Sequence, residues 1–224
     1  MKKAKYICLE GTEGVGKTTQ TKKLVESLRA RGYRVLQTKE PGIDLIPLTM
    51  TLRGIMLDNQ YDAVLTKPAR EFISQAIRSV HLERLIVPSL YEYDFIVQDR
   101  GILSGYAYGT ACGNTFESVH SMAIQNIDSA NEGRDALPIV PEHIYDHVVY
   151  LRGDVKKNLQ KALSSKQEFE TGDAMESRGS TFLDIVSKNM DKMSLRFKTV
   201  RINIDEKSIE EVHNEILTNL RLKD

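Results

Sequence analysis

Gly11-Thr-Glu-Gly-Val-Gly-Lys17-Thr18 has the spacing G-x-x-x-x-G-K-T, which suits a loop that holds a nucleotide's phosphates. Its glycines let the backbone turn N–H groups inward onto phosphate oxygens, and a helix beginning near Lys17 adds its positive end. Lys17 would reach the β- and γ-phosphates, and the Thr18 hydroxyl would ligate Mg²⁺. Thr12, Glu13, Gly14, Val15, Gly16 and Thr19 complete the stretch expected to wrap ATP. Asp99 is the second anchor: it follows the apolar run Phe95-Ile-Val97, at a strand's carboxyl end, where parallel sheets bind ligands. There it would hold Mg²⁺; the plainer reading is a helix cap or an Asp–Arg surface pair. Arg53, Arg78 and Arg100 fall in or beside segments expected at the same edge. Any one of them alone reads as an exposed arginine. Together they suit an anionic second substrate, because phosphoryl transfer is largely positioning and charge neutralisation.

These residues need a scaffold. Tyr6–Leu9, Tyr33–Gln37, Phe95–Val97, Val148–Leu151 and Thr199–Ile204 read as strands. Between them the spacing predicts helices over Thr18 to about Arg31, Leu48–Leu57, Pro68 to about Leu90 with Pro88 disturbing its last turns, Ser104–Cys112 and Phe116–Asp128. Asp154 to about Leu163, Phe182–Leu195 and Ser208–Leu220 follow, the last opened by a capping box of Ser208 and Glu211. Strands alternating with helices imply a parallel sheet covered on both faces, in one α/β domain over residues 1–224. The polar segment Ser164–Ser180 reads as a mobile loop.

Bulk composition narrows the classes. Lys+Arg and Asp+Glu are both 31 in 224 residues, so the basic excess usual for nucleic-acid binders is missing. Cys8 and Cys112 make neither a disulfide framework nor a metal site. The apolar run after the N-terminal lysines is too short for a signal peptide, and no stretch approaches a membrane span. A cytoplasmic protein without nucleic-acid or membrane partners is expected. No guanine-specifying N-K-x-D occurs, and the loop lacks the extra lysine of partition-type ATPases.

Four pieces, in order, resemble the thymidylate kinase family: "LEGTEGVGKTTQTKKLVESLRARGYRV", "TKEPG" at 38–42, "AIRSVHLERLIVPSL" at 76–90 and "VQDRGILSGYAY" at 97–108. The resemblance runs over nearly the whole chain. It implies a three-layer P-loop fold of about five parallel strands with a lid at about 164–180. It also implies ATP and a deoxynucleoside monophosphate, dTMP first, as substrates, Mg²⁺ as cofactor, and a homodimer through the helices beside the acceptor site. In that pattern Glu13 is the loop carboxylate near the reacting phosphates, and Glu40 with Pro41 belongs to the same acidic edge. Arg53 and Arg100 grip the acceptor phosphate, and Arg78 meets the base. Ser104 and Tyr108 line the pocket, with Tyr108 against the sugar's 2′ position. Lys17, Arg100 and Glu13 would be catalytic. Gly14 stands where some members carry a loop arginine, so a lid cation is implied: Arg178, or else Lys166.

Three departures touch the acceptor site. Ser74 stands where the family's base-stacking phenylalanine falls, and Phe72 is the nearest replacement. Losing such a platform costs about 1–3 kcal/mol of base binding where stacking has been measured. Gly101 replaces the Tyr of D-R-Y, and the turn "EPGIDLIPL" is longer than usual. Further readings stay open: a broader-range dNMP kinase; a deoxynucleoside kinase, whose neutral acceptor would need Glu40 or Asp99 as base; and an ATP-binding switch with little turnover.

Overall fold

The computed structural model describes residues 3–164 and 173–222. Five strands form one parallel sheet: β1 (Lys5–Glu10), β2 (Val35–Lys39), β3 (Phe95–Asp99), β4 (His147–Arg152) and β5 (Thr199–Asn203), in the order β2-β3-β1-β4-β5. The register aligns Leu9 and Lys39 with Asp99. The loop leaving β1 and the carboxylate ending β3 therefore meet at one edge.

Alternation along the strands divides the core. Ile7, Leu9, Val97, Val149 and Ile202 pack under α1 (Lys17–Ala30) and α9 (Ile209–Asn219) through Leu24, Leu28, Val212 and Ile216. Tyr6, Cys8, Ile96 and Val148 face the other way, onto α5 (Ile102–Ala111) and α6 (Phe116–Asn131) through Leu103, Tyr106, Ala123 and Ile127. The capping box of Ser208 and Glu211 opens α9.

The helix expected from Pro68 onward divides. α3 spans Lys67–His81, capped by the Thr66 hydroxyl; a π turn follows at Leu82–Ile86, then α4 at Val87–Ser89. Pro88 has no N–H, and its ring collides with the carbonyl four residues back. The wider π turn ahead of it absorbs that mismatch.

α2 is Pro47–Leu57, and α7 is Val155–Ser164 with the Asp154 carboxylate accepting from Lys157 N–H at 2.8 Å. α8 runs Gly179–Met193, preceded by a 3₁₀ turn at Glu176–Arg178. Ser164–Ser180 is thus not loop throughout: its last residues are helical. Lys166 lies outside the described residues.

Candidate active site

The loop after β1 turns sharply. Gly14 and Gly16 take φ of 72° and 84°, a left-handed region that favours glycine. Gly14 also presses against α7: a Cβ there would fall inside contact distance of the Asn158 carbonyl oxygen. Position 14 has no room for a larger side chain unless the loop or α7 shifts.

Lys17, at the first position of α1, is buried, and its Nζ donates to the Thr12 carbonyl at 2.5 Å. Burial, then the nearby Arg100 charge, pulls its pKa down to about 8 against the opposing pull of Asp99, Glu13 and Glu10. One residue on, the Thr18 hydroxyl donates to Asp99 Oδ2 at 2.6 Å. The two hard oxygens expected to hold Mg²⁺ are therefore neighbours at the sheet's edge.

Arg100 follows Asp99 with φ of 62°. That left-handed turn is a strained conformation for an arginine, of a kind that clusters at ligand sites. Its guanidinium donates to the Gly11 carbonyl at 2.8 Å and to Glu13 Oε1 at 2.7 Å. Tyr108 donates to the other Glu13 oxygen at 2.5 Å, and its ring lies under Arg100. Burial alone would raise the Glu13 pKa, but the Arg100 and Lys17 charges overcome it and hold the group below the usual carboxylate range.

A second buried cluster lies on α3. Arg78 donates through Nε and Nη2 to Glu40 Oε2, both at 3.0 Å, and His81 Nδ1 is 2.9 Å from Glu40 Oε1. Burial opposes ionisation of Glu40, yet Arg78 and His81 bring its pKa down to about 2. Glu40 is thus committed to Arg78 and His81, while its backbone N–H donates to the Asp99 carbonyl at 2.9 Å, at the same edge. Arg53 Nη1 donates to the Pro41 carbonyl at 2.7 Å.

A cavity of about 710 Å³ joins these parts. Glu13, Gly14, Gly16, Lys17, Thr18, Thr19, Asp99, Arg100, Ser104 and Tyr108 line it with Glu40, Pro41, Arg53, Ser74 and Arg78. Gly11, Thr12 and Val15 are buried in the loop behind this lining. Two expected residues are not brought in. Phe72 is 61% exposed and lies outside the lining, so it does not replace the missing stack. Arg178 is also outside the lining: its Nη2 donates to Asp62 Oδ1 at 2.7 Å, and its guanidinium lies over Phe182. The cation that α7 does contribute to the lining is Lys161.

Sequence reading missed three structural parts. Glu10 is buried at the end of β1 and accepts from the N–H groups of Gly101 (2.9 Å) and Ser104 (3.2 Å), besides the Ser104 hydroxyl. It ties the Asp99-Arg100 turn to the strand that launches the loop, and burial raises its pKa. The signal was an acid closing the alternation Tyr6, Cys8, Glu10. Tyr145 explains Gly101: a Cβ there would strike the Tyr145 hydroxyl, which accepts from Ile102 N–H at 3.1 Å. Glu71 lines the cavity two helical turns before Arg78, a spacing that the 3.6-residue period places on Arg78's face.

The fold and the site define an α/β phosphotransferase of the P-loop kinase type. The profile of the family described as thymidylate kinase matches residues 9–216. Proteins named thymidylate kinase from Acholeplasma laidlawii and Finegoldia magna are 30% and 25% identical over 219 and 217 residues, each 96% of this chain, and 98% and 97% of those proteins. One from Acinetobacter baylyi is 38% identical over 103 residues, 46% of this chain and 50% of that protein. The alignment thus spans about half of the Acinetobacter protein and nearly all of the other two. The chain belongs to the thymidylate kinase family. ATP and dTMP are that family's substrates.

Proposed function

We propose that this chain transfers the γ-phosphoryl group of ATP to dTMP, giving ADP and dTDP, within the cavity between the β1 loop, α2, α3 and α5. The observation that carries this is that Lys17, Arg100 and the Thr18–Asp99 pair line one cavity together with Arg53 and Arg78. Two polyanions need cations from both sides. The loop's N–H groups and Lys17 hold the ATP phosphates. Arg100, fixed by Glu13 and the Gly11 carbonyl, bridges toward the acceptor phosphate, and Arg53 grips that phosphate from α2. Tyr108 stands against the sugar. An acceptor phosphate oxygen is already ionised near neutral pH, so no general base is needed. A nucleoside 5′-hydroxyl would need one, and Glu40, held at about 2, is a poor candidate.

Thr18 and Asp99 fit Mg²⁺. Among the described residues no three His, Cys, Asp or Glu side chains cluster as a protein cage, but Mg²⁺ usually takes one or two carboxylates and completes its shell with phosphate and water oxygens. When bound, the ion would neutralise charge on the transferring group. Lys161 on α7, and not Arg178 ahead of α8, lines the cavity. A homodimer fits α3, where Ile77 enters the core while Phe72 and Ala76 face outward. Among the described residues no helix is long and apolar enough to cross a membrane. Both cysteines are unbridged, in keeping with a reducing cytoplasm.

Arg100→Ala tests the bridging role. The expected result is a loss of at least about 10³-fold in dTMP-dependent ADP release, the scale of a transition-state arginine, with the protein still folded by circular dichroism. Near-normal turnover would remove Arg100 from the mechanism.

A further inference from the structure

Between α3 and α5 the cavity wall carries two charged groups, each leaning on a glycine. A Cβ on Gly105 would lie 2.5 Å from Arg78 Nη2, and one on Gly109 would lie 2.6 Å from Glu71 Oε2. The two glycines are one helical turn apart on α5, and they leave room for a guanidinium and a carboxyl on α3. Glu71 is 5% exposed and still lines the cavity. Gln75 Nε2 donates to Glu71 Oε1 at 2.7 Å. Asn126, on α6, donates to the Gln75 side-chain oxygen at 2.9 Å and to its backbone carbonyl at 3.1 Å. A strut from another helix thus fixes the carboxyl's orientation, as a recognition group needs. Burial pushes its pKa up.

Arg78 spends Nε and Nη2 on Glu40, and its Nη1 has no hydrogen-bond partner among the described residues. Buried donors and carboxyls are costly when unpaired. Both line one cavity from the same face of α3, where they offer a donor and an acceptor that a base edge with the complementary pattern would satisfy.

We propose that Glu71 is a specificity-determining residue that accepts a hydrogen bond from the ring N3–H of the acceptor's base, beside the carbonyl that takes Arg78. The assignment rests on the monophosphate-kinase reading above. Thymine and uracil present N3–H next to O4. Cytosine presents a bare ring nitrogen next to an amino group, so donor would meet donor and acceptor would meet acceptor. Discrimination then comes from buried polar groups left unpaired, which reject a wrong ligand more sharply than apolar fit does. This supplies selectivity where Ser74 offers no stacking ring.

The test compares kcat/KM for dTMP, dCMP and N3-methyl-dTMP, with Mg·ATP, in wild type, Glu71→Leu and Glu71→Gln. Wild type should favour dTMP over each of the others by at least about 100-fold. Glu71→Leu should lose dTMP activity selectively, bringing dTMP within about 5-fold of N3-methyl-dTMP, with the KM for ATP unchanged. Glu71→Gln, whose amide can offer either oxygen or N–H, should keep discrimination against the N3-methyl compound and gain at least about 10-fold toward dCMP. A purely structural Glu71 would lower all three substrates together and leave the ratios fixed, which overturns the proposal. If Glu71→Leu fails to fold, an unchanged dTMP:dCMP ratio in Glu71→Gln overturns it equally. Wild-type activity on dTMP without discrimination against N3-methyl-dTMP removes Glu71 alone. Activity on no monophosphate removes the kinase reading, and Glu71 with it.

Discussion

Lys17 is a cation kept where charge is disfavoured, with its pKa drawn down to about 8 by burial and by Arg100. ATP restores the favourable surroundings, so binding and protonation are coupled. Above pH 8 the free protein must take up a proton to bind, and the ATP dissociation constant should rise about tenfold per pH unit. Calorimetric titrations from pH 6.5 to 9.5 check this; a flat profile contradicts it, and Lys17→Arg should show no break in that range. The sign for stability is opposite. Between about 8 and the ordinary lysine value the unfolded chain holds more protons, so the ligand-free fold gains stability as pH rises. Glu40 behaves in the reverse sense. Its pKa is held at about 2, so its stabilising contribution is complete above the ordinary carboxylate value and is lost as pH falls from there toward 2. Glu40→Gln leaves Arg78 buried without its charge partner and should cost about 3–5 kcal/mol, read by urea denaturation at neutral pH.

At the scale of elements, the loop and α7 form one unit. Gly14 takes positive φ and its Cα abuts the Asn158 carbonyl, so a side chain at 14 would move either the loop or the helix that carries Lys161. Gly14→Ala should destabilise by about 1–3 kcal/mol and weaken ATP binding more than it weakens dTMP binding; thermal melts with each nucleotide check this, and equal effects would contradict it. Here the reach of the sequence is plain. The strands, α1, the capped α9 and the phosphate loop were legible, because period, caps and glycine spacing are local signals. The partners of Glu40, the seat of Tyr145 behind Gly101 and the Asn126–Gln75–Glu71 strut were not, because each depends on a contact between residues 38 or more apart in the chain. Arg178 was misplaced for the same reason: Asp62, its ion-pair partner, is far upstream. The π turn, by contrast, had a local cause in Pro88, though Pro88 alone indicated a disturbance and not its form.

For the whole molecule, β1 is central and the cavity opens along the carboxyl edge between its loop and β3. All five strands run parallel, so their carboxyl ends share one edge, and β2, β3 and the loop after β1 supply the cavity from it. The exposed Phe72 and Ala76 of α3 lie outside that cavity, and a two-fold dimer there would leave the site open. Phe72→Asp should turn a dimer into a monomer in sedimentation velocity while preserving the β-sheet signal; a dimer that persists would place the interface elsewhere. In this cavity the phosphoryl group is expected to leave ATP for a monophosphate and not for water. The most direct measurement follows label from γ-³²P-ATP in the presence of Mg²⁺ and dTMP, dUMP, dCMP, dGMP, dAMP or thymidine in parallel. Labelled dTDP is expected as the main product, with little free phosphate when dTMP is absent. Label appearing only as inorganic phosphate, whichever acceptor is present, would contradict it.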